Sequence, residues 1–257
     1  MPDTKVSACI VTYNSMDKIE RTVRSILDNT KGVDLTLYIS DNASTDKTAD
    51  FIEREFPQVK VIRNQINGGF GWAHNKVLEL IDSEYHVIIN PDIILDSDVI
   101  SDLAAFLNEH PDIVMVTPKV LNQDGTEQHL PKREPRIKYL IGGKLQKFGK
   151  IFKNLRAEYT MQNVEIKQPL DIDFCTGCFM FIRTDAFKQL NGFDDRFFMY
   201  LEDADLTKRA KQFGRVVFYP CVSVIHLWER ASYKSFKYFM IHVRSIVKYY
   251  LKWFRKK

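Results

Sequence analysis

The chain has little cysteine, no long apolar run and no low-complexity linker. There are four cysteines in 257 residues, which excludes a disulfide scaffold and favours a reduced compartment. No apolar stretch approaches the roughly 18–20 residues that span a bilayer. The apolar run at residues 6–11 passes straight into Thr12-Tyr13-Asn14, too short for a secretory signal, so a cytoplasmic location is expected. Cys175 and Cys178 form one C-x-x-C within residues 173–184, a stretch that reads as a strand. Residues three apart on a strand face opposite ways, so core packing is expected there in preference to zinc. With 45% hydrophobic and 27% charged residues, disorder and collagen are excluded, and the length suits one large domain.

The net charge of +4 hides an uneven distribution. Residues 132–156 carry nine Lys/Arg and one Glu, and residues 228–257 do the same, leaving −12 on the rest. An acidic body with two basic patches differs in kind from a faintly basic globule.

Along the first 120 residues, strand-like and helix-like patterns alternate. Strands are predicted at 6–11, 35–40, 59–63 and 85–90, with helices at 17–28, 46–55 (capped by Ser44) and 72–81. This order implies an α/β fold with a mostly parallel sheet covered on both faces, where ligands collect at the C-terminal strand ends. Thr12-Tyr13-Asn14, Asp41-Asn42 and Asn90-Pro91-Asp92 all follow strands and would converge on one sheet edge. Further on, strands are predicted at 112–119, 173–184, 216–219 and 222–227, and a helix at 202–213. Ile141, Leu145, Phe148, Phe152 and Leu155 form a helical seam flanked by lysines. Phe236, Met240, Val243, Val247, Leu251 and Phe254 form another among Lys and Arg.

Taken singly, the chemical motifs are ambiguous. Asp92 beyond a buried strand suits either a turn or a metal. Glu202-Asp203-Ala204-Asp205 crowds three acids among aromatics; acids are favoured in a helix's first turn, yet such crowding raises pKa values unless charge is matched. A lone strand histidine such as His226 is more often a core residue than a ligand.

Taken in order, the motifs are more specific. Val11-Thr12-Tyr13-Asn14, Asp41-Asn42-Ala43-Ser44-Thr45-Asp46, Asn67-Gly68-Gly69-Phe70-Gly71 and Asn90-Pro91-Asp92 are followed by Asn191-Gly192-Phe193-Asp194, Phe198-Met199-Tyr200-Leu201-Glu202-Asp203-Ala204-Asp205 and His226. Across about residues 5–230 this series resembles the inverting family 2 glycosyltransferases of GT-A fold, with the bacterial rhamnosyltransferases of cell-wall and O-antigen assembly as the nearest branch. The resemblance implies a GT-A domain over 1–230, with an acceptor-side basic insert at 132–170 and a basic amphipathic helix at 231–257.

It also implies roles. Asp92 and His226 would hold Mg²⁺ or Mn²⁺ against the diphosphate of a nucleotide sugar; Asn90 stands where the family usually has the first Asp of Asp-x-Asp. Asp41 would accept a ring N–H of the pyrimidine base, with Thr12, Tyr13 and Asn14 lining base and ribose. Phe70 and Gly71 would shape the diphosphate and sugar side. Asp203 matches the general base, Glu202 is its rival, and Asp205 is structural. The expected reaction moves a sugar, L-rhamnose from dTDP-rhamnose in the leading reading, to a lipid-diphosphate-linked saccharide. The alternatives are a UDP-linked galactosyl or glucosyl donor and a non-catalytic nucleotide-sugar-binding scaffold. Neither basic patch matches a nucleic-acid-binding motif, so none is expected to bind nucleic acid. Basic helices with aromatic residues suit an anionic surface, which predicts peripheral attachment to the inner face of the cell membrane.

Overall fold

The computed structural model describes residues 4–139, 149–227 and 236–254. The predicted seam at Ile141, Leu145 and Phe148 lies outside the described residues; its C-terminal part falls in a helix.

The N-terminal half alternates strands and helices. β1 (Lys5–Thr12), α1 (Ile19–Asn29), β2 (Asp34–Asp41), α2 (Thr48–Glu55) and β3 (Lys60–Arg63) follow one another, then α3 (Phe70–His74) and β4 (Tyr85–Ile89). β5 (Ile93–Ile94), α4 (Val99–Glu109) and β6 (Ile113–Leu121) come next. The C-terminal half supplies α5 (Lys150–Tyr159), β7 (Leu170–Asp171), β8 (Phe179–Arg183), α6 (Thr184–Gln189), α7 (Glu202–Ala210), β9 (Arg215–His226) and α8 (Phe236–Phe254).

Among the described residues these strands form one sheet in the order β3-β2-β1-β4-β8-β6-β9-β5, with β7 pairing β9 off that path. β1 to β4 pair in parallel as the alternation requires. Beyond β4 the sheet is mixed: β8 runs antiparallel to both β4 and β6, and β5 and β7 run antiparallel to β9. The parallel expectation therefore holds for β1 to β4 and for the β6–β9 pair, and the remaining pairs are antiparallel. β8 enters from a long excursion, not from a β-α crossover, so its direction is free of the crossover rule.

Strand alternation divides the core. Val6, Ala8, Ile10, Val87, Ile89, Phe179 and Phe181 pack on one sheet face, while Cys9, Ile88, Met180 and Ile182 pack on the other. Cys175 and Cys178 are buried on opposite faces, as strand spacing suggested, although both precede β8 itself. Burial pushes the Cys178 thiol up to about 12.

Three local expectations change. Residues 72–81 do not form one helix: α3 stops at His74 and a 3₁₀ turn (Asn75–Val77) follows. Asn75 explains the break, because its side chain is committed to the Phe193 backbone, donating to the carbonyl at 2.9 Å and accepting the N–H at 2.8 Å. Ser44 does not cap α2; Asp46 accepts the Thr48 N–H instead, at 3.1 Å. The two closing strands are one, β9, with a register shift near Pro118.

A third cluster joins Tyr139, Tyr159, Phe174, Phe197, Leu201, Ala204 and Tyr249, with Ile246 and Trp253 packed on it. It seats α8 against α7, so the C-terminal helix is an integral buttress of the fold.

Candidate functional site

The ends of β1 and β2 build the first part of the site. Thr12 and Asp41 are register partners on these parallel strands. The Thr12 hydroxyl donates to Asp41 Oδ1 at 2.7 Å, and Ser44 donates its N–H to Oδ2 at 2.9 Å and its hydroxyl to Oδ1 at 2.5 Å. Three donors leave Oδ2 room for one more. The Thr12 side chain is fully buried, so it supports Asp41 and does not itself line an open pocket. Asn14, with φ 52°, accepts the Thr45 N–H at 2.8 Å through its side chain and donates its own N–H to Ser44 Oγ at 2.9 Å. The two loops are thereby zipped together. Beside them is a cavity of about 260 Å³ lined by Asp41, Ser44, Thr45, Arg63 and Asn64 among others. Tyr13, in the loop after β1, is about half exposed and is not among the residues that line this cavity.

The glycine-rich loop connects this region to the acids. Gly69 has φ +98°, and a Cβ there would lie 2.2 Å from the Phe198 carbonyl oxygen. That same carbonyl accepts the Phe70 N–H at 2.9 Å, and Asn42 donates to the Gly69 carbonyl at 3.1 Å. Gly69→Ala is expected to destabilise the protein by about 2 kcal/mol or more, since backbone strain and a backbone clash coincide. A denaturant titration checks this, and a loss below about 0.5 kcal/mol would contradict it.

α7 begins from a strained turn. Tyr200 (φ 71°) and Leu201 (φ 67°) are consecutive non-glycine residues in the left-handed region. Each such residue costs about 1–3 kcal/mol and persists where surrounding contacts hold it. Leu201 is buried in the third cluster, Tyr200 packs on His242 of α8, and Ser245 donates to the Met199 carbonyl at 2.7 Å. The turn separates the three acids. Asp203 faces the Gly177 backbone, accepting its N–H at 3.0 Å through Oδ2, while Oδ1 accepts the Ala204 N–H at 2.8 Å. A Cβ on Gly177 would sit 3.3 Å from Asp203 Cβ and 3.4 Å from the Phe70 ring, so glycine lets Phe70 and Asp203 approach one another.

Glu202 is buried, and its Oε2 has no hydrogen-bond partner among the described residues. Burial, reinforced by Asp203, pushes its carboxyl well above the usual range. Burial also raises Asp203, opposed by the Lys132 ammonium and the two backbone N–H groups. Asp205 is completely buried and ion-paired to Arg209 at 2.8 Å and to Lys252 at 2.6 Å, with the Trp253 indole N–H at 3.0 Å.

Asp92 and His226 meet across β5 and β9. Ile93 pairs with His226, and the Leu227 N–H donates to the Asp92 carbonyl at 2.9 Å. His226 Nε2 lies 3.3 Å from Asp92 Oδ1, a buried oxygen that makes no hydrogen bond among the described residues. An octahedral ion with bonds of about 2.1 Å holds adjacent ligands about 3.0 Å apart, so a carboxylate and an imidazole at this spacing fit Mg²⁺ or Mn²⁺. Among the described residues no group of three or more His, Cys, Asp or Glu could hold a metal. A cation here would therefore need oxygens from elsewhere. Asn90 stands two residues away, its N–H donating to the Cys178 carbonyl at 2.9 Å.

The structure thus gathers Phe70 with Asp203, Asp92 with His226, and Thr12 and Asn14 with Asp41; Gly71 packs under Phe193. Sequence reasoning passed over Gly177, Lys132 and Gln128. Lys132 was counted as part of a basic patch, yet its Nζ lies 4.6 Å from the Phe174 ring centroid and its charge acts on Asp203. No sequence pattern marks Gln128, which bonds to His226.

Comparison with known structures and sequences defines the class. A mannosyltransferase from Pyrobaculum calidifontis, solved with GDP-Man and Mn²⁺, superposes with a TM-score of 0.66 at 18% identity, covering 97% of this chain and 64% of that one. TarS of S. aureus superposes with a TM-score of 0.60 at 20% identity, covering 86% of this chain and 60% of that one. The fold is that of the GT-A glycosyltransferases. The sequence model described as "Glycosyl transferase family 2" matches residues 7–190, and one described as "N-terminal domain of galactosyltransferase" matches residues 158–237. The chain belongs to glycosyl transferase family 2 and is a glycosyltransferase. Its curated relatives include the N-acetylglucosaminyl-diphospho-decaprenol L-rhamnosyltransferase of Mycobacterium tuberculosis, 25% identical over 84% of this chain and 74% of that one. The rhamnosyltransferase WbbL of Escherichia coli is 26% identical over 72% of each.

Proposed function

We propose that this enzyme transfers a sugar, L-rhamnose in the leading reading, from a dTDP- or UDP-linked donor to a lipid-diphosphate-linked saccharide, with inversion at the anomeric carbon. The observation that carries the reading is Asp203: a carboxylate oriented by two backbone N–H groups, beside the Phe70 ring, with its pKa raised by burial. In the proposed step the acceptor hydroxyl gives its proton to Asp203 as its oxygen bonds to the anomeric carbon. The bond from that carbon to the diphosphate oxygen breaks with its electron pair, and the nucleoside diphosphate leaves. One displacement needs one base, and Asp203, whose carboxylate two backbone N–H groups orient, suits that role better than Glu202, whose carboxyl burial pushes further up. Asp41 would receive the base N–H through the remaining capacity of Oδ2, and Asp92 with His226 would hold the cation. When bound, Mg²⁺ or Mn²⁺ supplies a Lewis acid against charge developing on the leaving diphosphate.

Rhamnose rests on the two relatives named as rhamnosyltransferases. A UDP-hexose donor is the second reading, favoured by the galactosyltransferase-type match and by TarS having been solved with UDP-GlcNAc. Transfer assayed over a panel of nucleotide sugars, with and without Mg²⁺, decides between them. Release of sugar from dTDP-rhamnose above all other donors supports the first reading, and preference for a UDP-hexose supports the second.

The exposed side of α8 supports the proposed acceptor class and location. Among the described residues no helix is long and apolar enough to cross a membrane. α8 buries Ser245 and Tyr249 towards α7 and exposes Phe236, Phe239, Met240, Val247 and Leu251 on its other side. At 100° per residue these five fall in one sector, bordered by Arg244, Lys237 and Lys248. An apolar stripe with a cationic edge suits an anionic bilayer surface at the cytoplasmic face, where a lipid-linked saccharide is presented. Deleting α8 would be a poor test, because it also strips the partners of Asp205. The combined change Phe236→Glu, Val247→Glu and Leu251→Glu leaves that docked face intact. It is expected to abolish co-sedimentation with phosphatidylglycerol vesicles, and undiminished binding would refute the membrane assignment.

A further inference from the structure

Gln128 reaches His226 from a rigid support. After β6 the chain reverses at Asn122-Gln123-Asp124-Gly125: the Asn122 N–H donates to the Thr126 carbonyl at 2.7 Å and the Gly125 N–H to the Asn122 carbonyl at 3.0 Å. The returning arm is tied by the Gln128 N–H, which donates to the Val120 carbonyl at 2.9 Å. β6 is itself paired to β9 at Leu121 and Ile225, next to His226. The hairpin therefore carries Gln128 to a fixed place beside the β9 histidine.

Hydrogen bonding then determines which way each polar group points. Gln128 Nε2 lies 3.0 Å from the His226 carbonyl oxygen and 3.4 Å from that of Leu121. Carbonyl oxygens only accept, so the amide nitrogen belongs on that side. Oε1 is left facing His226 Nδ1 at 3.0 Å. An amide oxygen also only accepts, so Nδ1 carries a proton, and in the neutral form of the ring, the form that can ligate a cation, Nε2 presents its lone pair towards Asp92 Oδ1, 3.3 Å away. In the opposite tautomer an Nε2–H would donate to Asp92 and close the pair as an ordinary hydrogen bond.

We propose that Gln128 is the positioning residue of the cation site: its amide fixes the tautomer and ring orientation of His226 so that a lone pair, and not an N–H, faces Asp92. This rests on the reading of Asp92 and His226 as ligands of a divalent cation. In the neutral ring two acceptors then face one another 3.3 Å apart, an arrangement that a cation between them relieves. The hairpin thus leaves Nε2, and not Nδ1, as the nitrogen that takes up a cation. Partners of ligating histidines commonly change metal affinity by about 10–100-fold when removed.

Two measurements on the full chain test this. Long-range ¹H–¹⁵N correlation spectra of the histidine rings read the tautomer of the neutral ring without metal, and electron paramagnetic resonance of free Mn²⁺ reads affinity in the presence of dTDP and, separately, of UDP. The wild type is expected to show His226 protonated at Nδ1. Gln128→Leu is expected to move the proton to Nε2 and weaken Mn²⁺ binding about 10-fold or more. Gln128→Asn, polar but one methylene short, is expected to do the same, and it keeps the test open if the leucine variant does not fold. Gln128→Glu retains an acceptor for Nδ1–H and is expected to restore both the tautomer and most of the affinity. An Nδ1-protonated ring with undiminished Mn²⁺ affinity in Gln128→Leu or Gln128→Asn overturns the proposal. A wild type that binds no Mn²⁺ with either nucleotide overturns the cation reading instead, and the tautomer spectra keep the two failures apart.

Discussion

Asp203→Asn is expected to lower transfer about 10³-fold while nucleotide binding changes by less than about twofold, within the span general-base catalysis supplies. The asparagine keeps the size of the side chain and can still accept the Gly177 N–H, now held at 3.0 Å, so the loss isolates the proton acceptor. Glu202→Gln is the control. Burial pushes the Glu202 carboxyl well above the usual range, so a neutral amide in its place is expected to leave transfer within about threefold of wild type. Single-turnover kinetics on both variants decide the matter; equal losses would remove the distinction drawn between the two acids. The pH dependence follows from the same environment. Asp203 must be ionised to act, and burial raises its pKa above the usual 3.8. The acid limb of kcat/KM is therefore expected to begin at higher pH than for an ordinary aspartate, with activity lost as pH falls through that value. The limb is expected to vanish in Asp203→Asn.

Asp205→Ala is expected to cost about 3 kcal/mol, lowering Tm by roughly 6–12 °C for a domain of this size. Asp205 has no solvent exposure, and its carboxylate gathers Arg209, Lys252 and the Trp253 indole at one point. Removing it leaves two cations, 15% and 11% exposed, facing one another in the protein interior. The estimate stays at the low end of the range for broken buried pairs because Arg209 keeps the carbonyls of Leu190 and Gly192, and Lys252 keeps Asp194. Loss of the α8 anchor also frees the contacts of Ser245 and His242 that hold the strained turn before Glu202. Calorimetry checks the stability change, and a shift below about 2 °C would show that α8 docks by its apolar contacts alone.

The parts of the fold that periodicity governs were legible in the sequence. β1, β2 and β4 are buried apolar runs, α1 has its apolar face at helical spacing, and α8 falls at Phe236–Phe254 as its seam indicates. The polar clusters after β1 and β2 meet because adjacent parallel strands end side by side, a consequence of topology that sequence order implies. What was not legible depended on partners distant in sequence. α3 is short because Asn75 bonds to residue 193, and Ser44 serves Asp41 in place of a helix cap. The antiparallel strands beyond β4 follow from an excursion whose course no local pattern records. The acids show the same limit. Their crowding in sequence marked α7, but only packing shows Glu202 buried, Asp203 at Gly177 and Asp205 bound to the far end of α8. Lys132 and Gln128 act on Asp203 and His226 from 71 and 98 residues away, where no spacing rule reaches.

The central claim is a single displacement at the anomeric carbon with Asp203 as the only base. Proton NMR of the linkage formed from a nucleotide sugar of known anomeric configuration tests it most directly. The account predicts a product of the opposite configuration, formed by the wild type and not by Asp203→Asn. A product that retains the donor's configuration would contradict it.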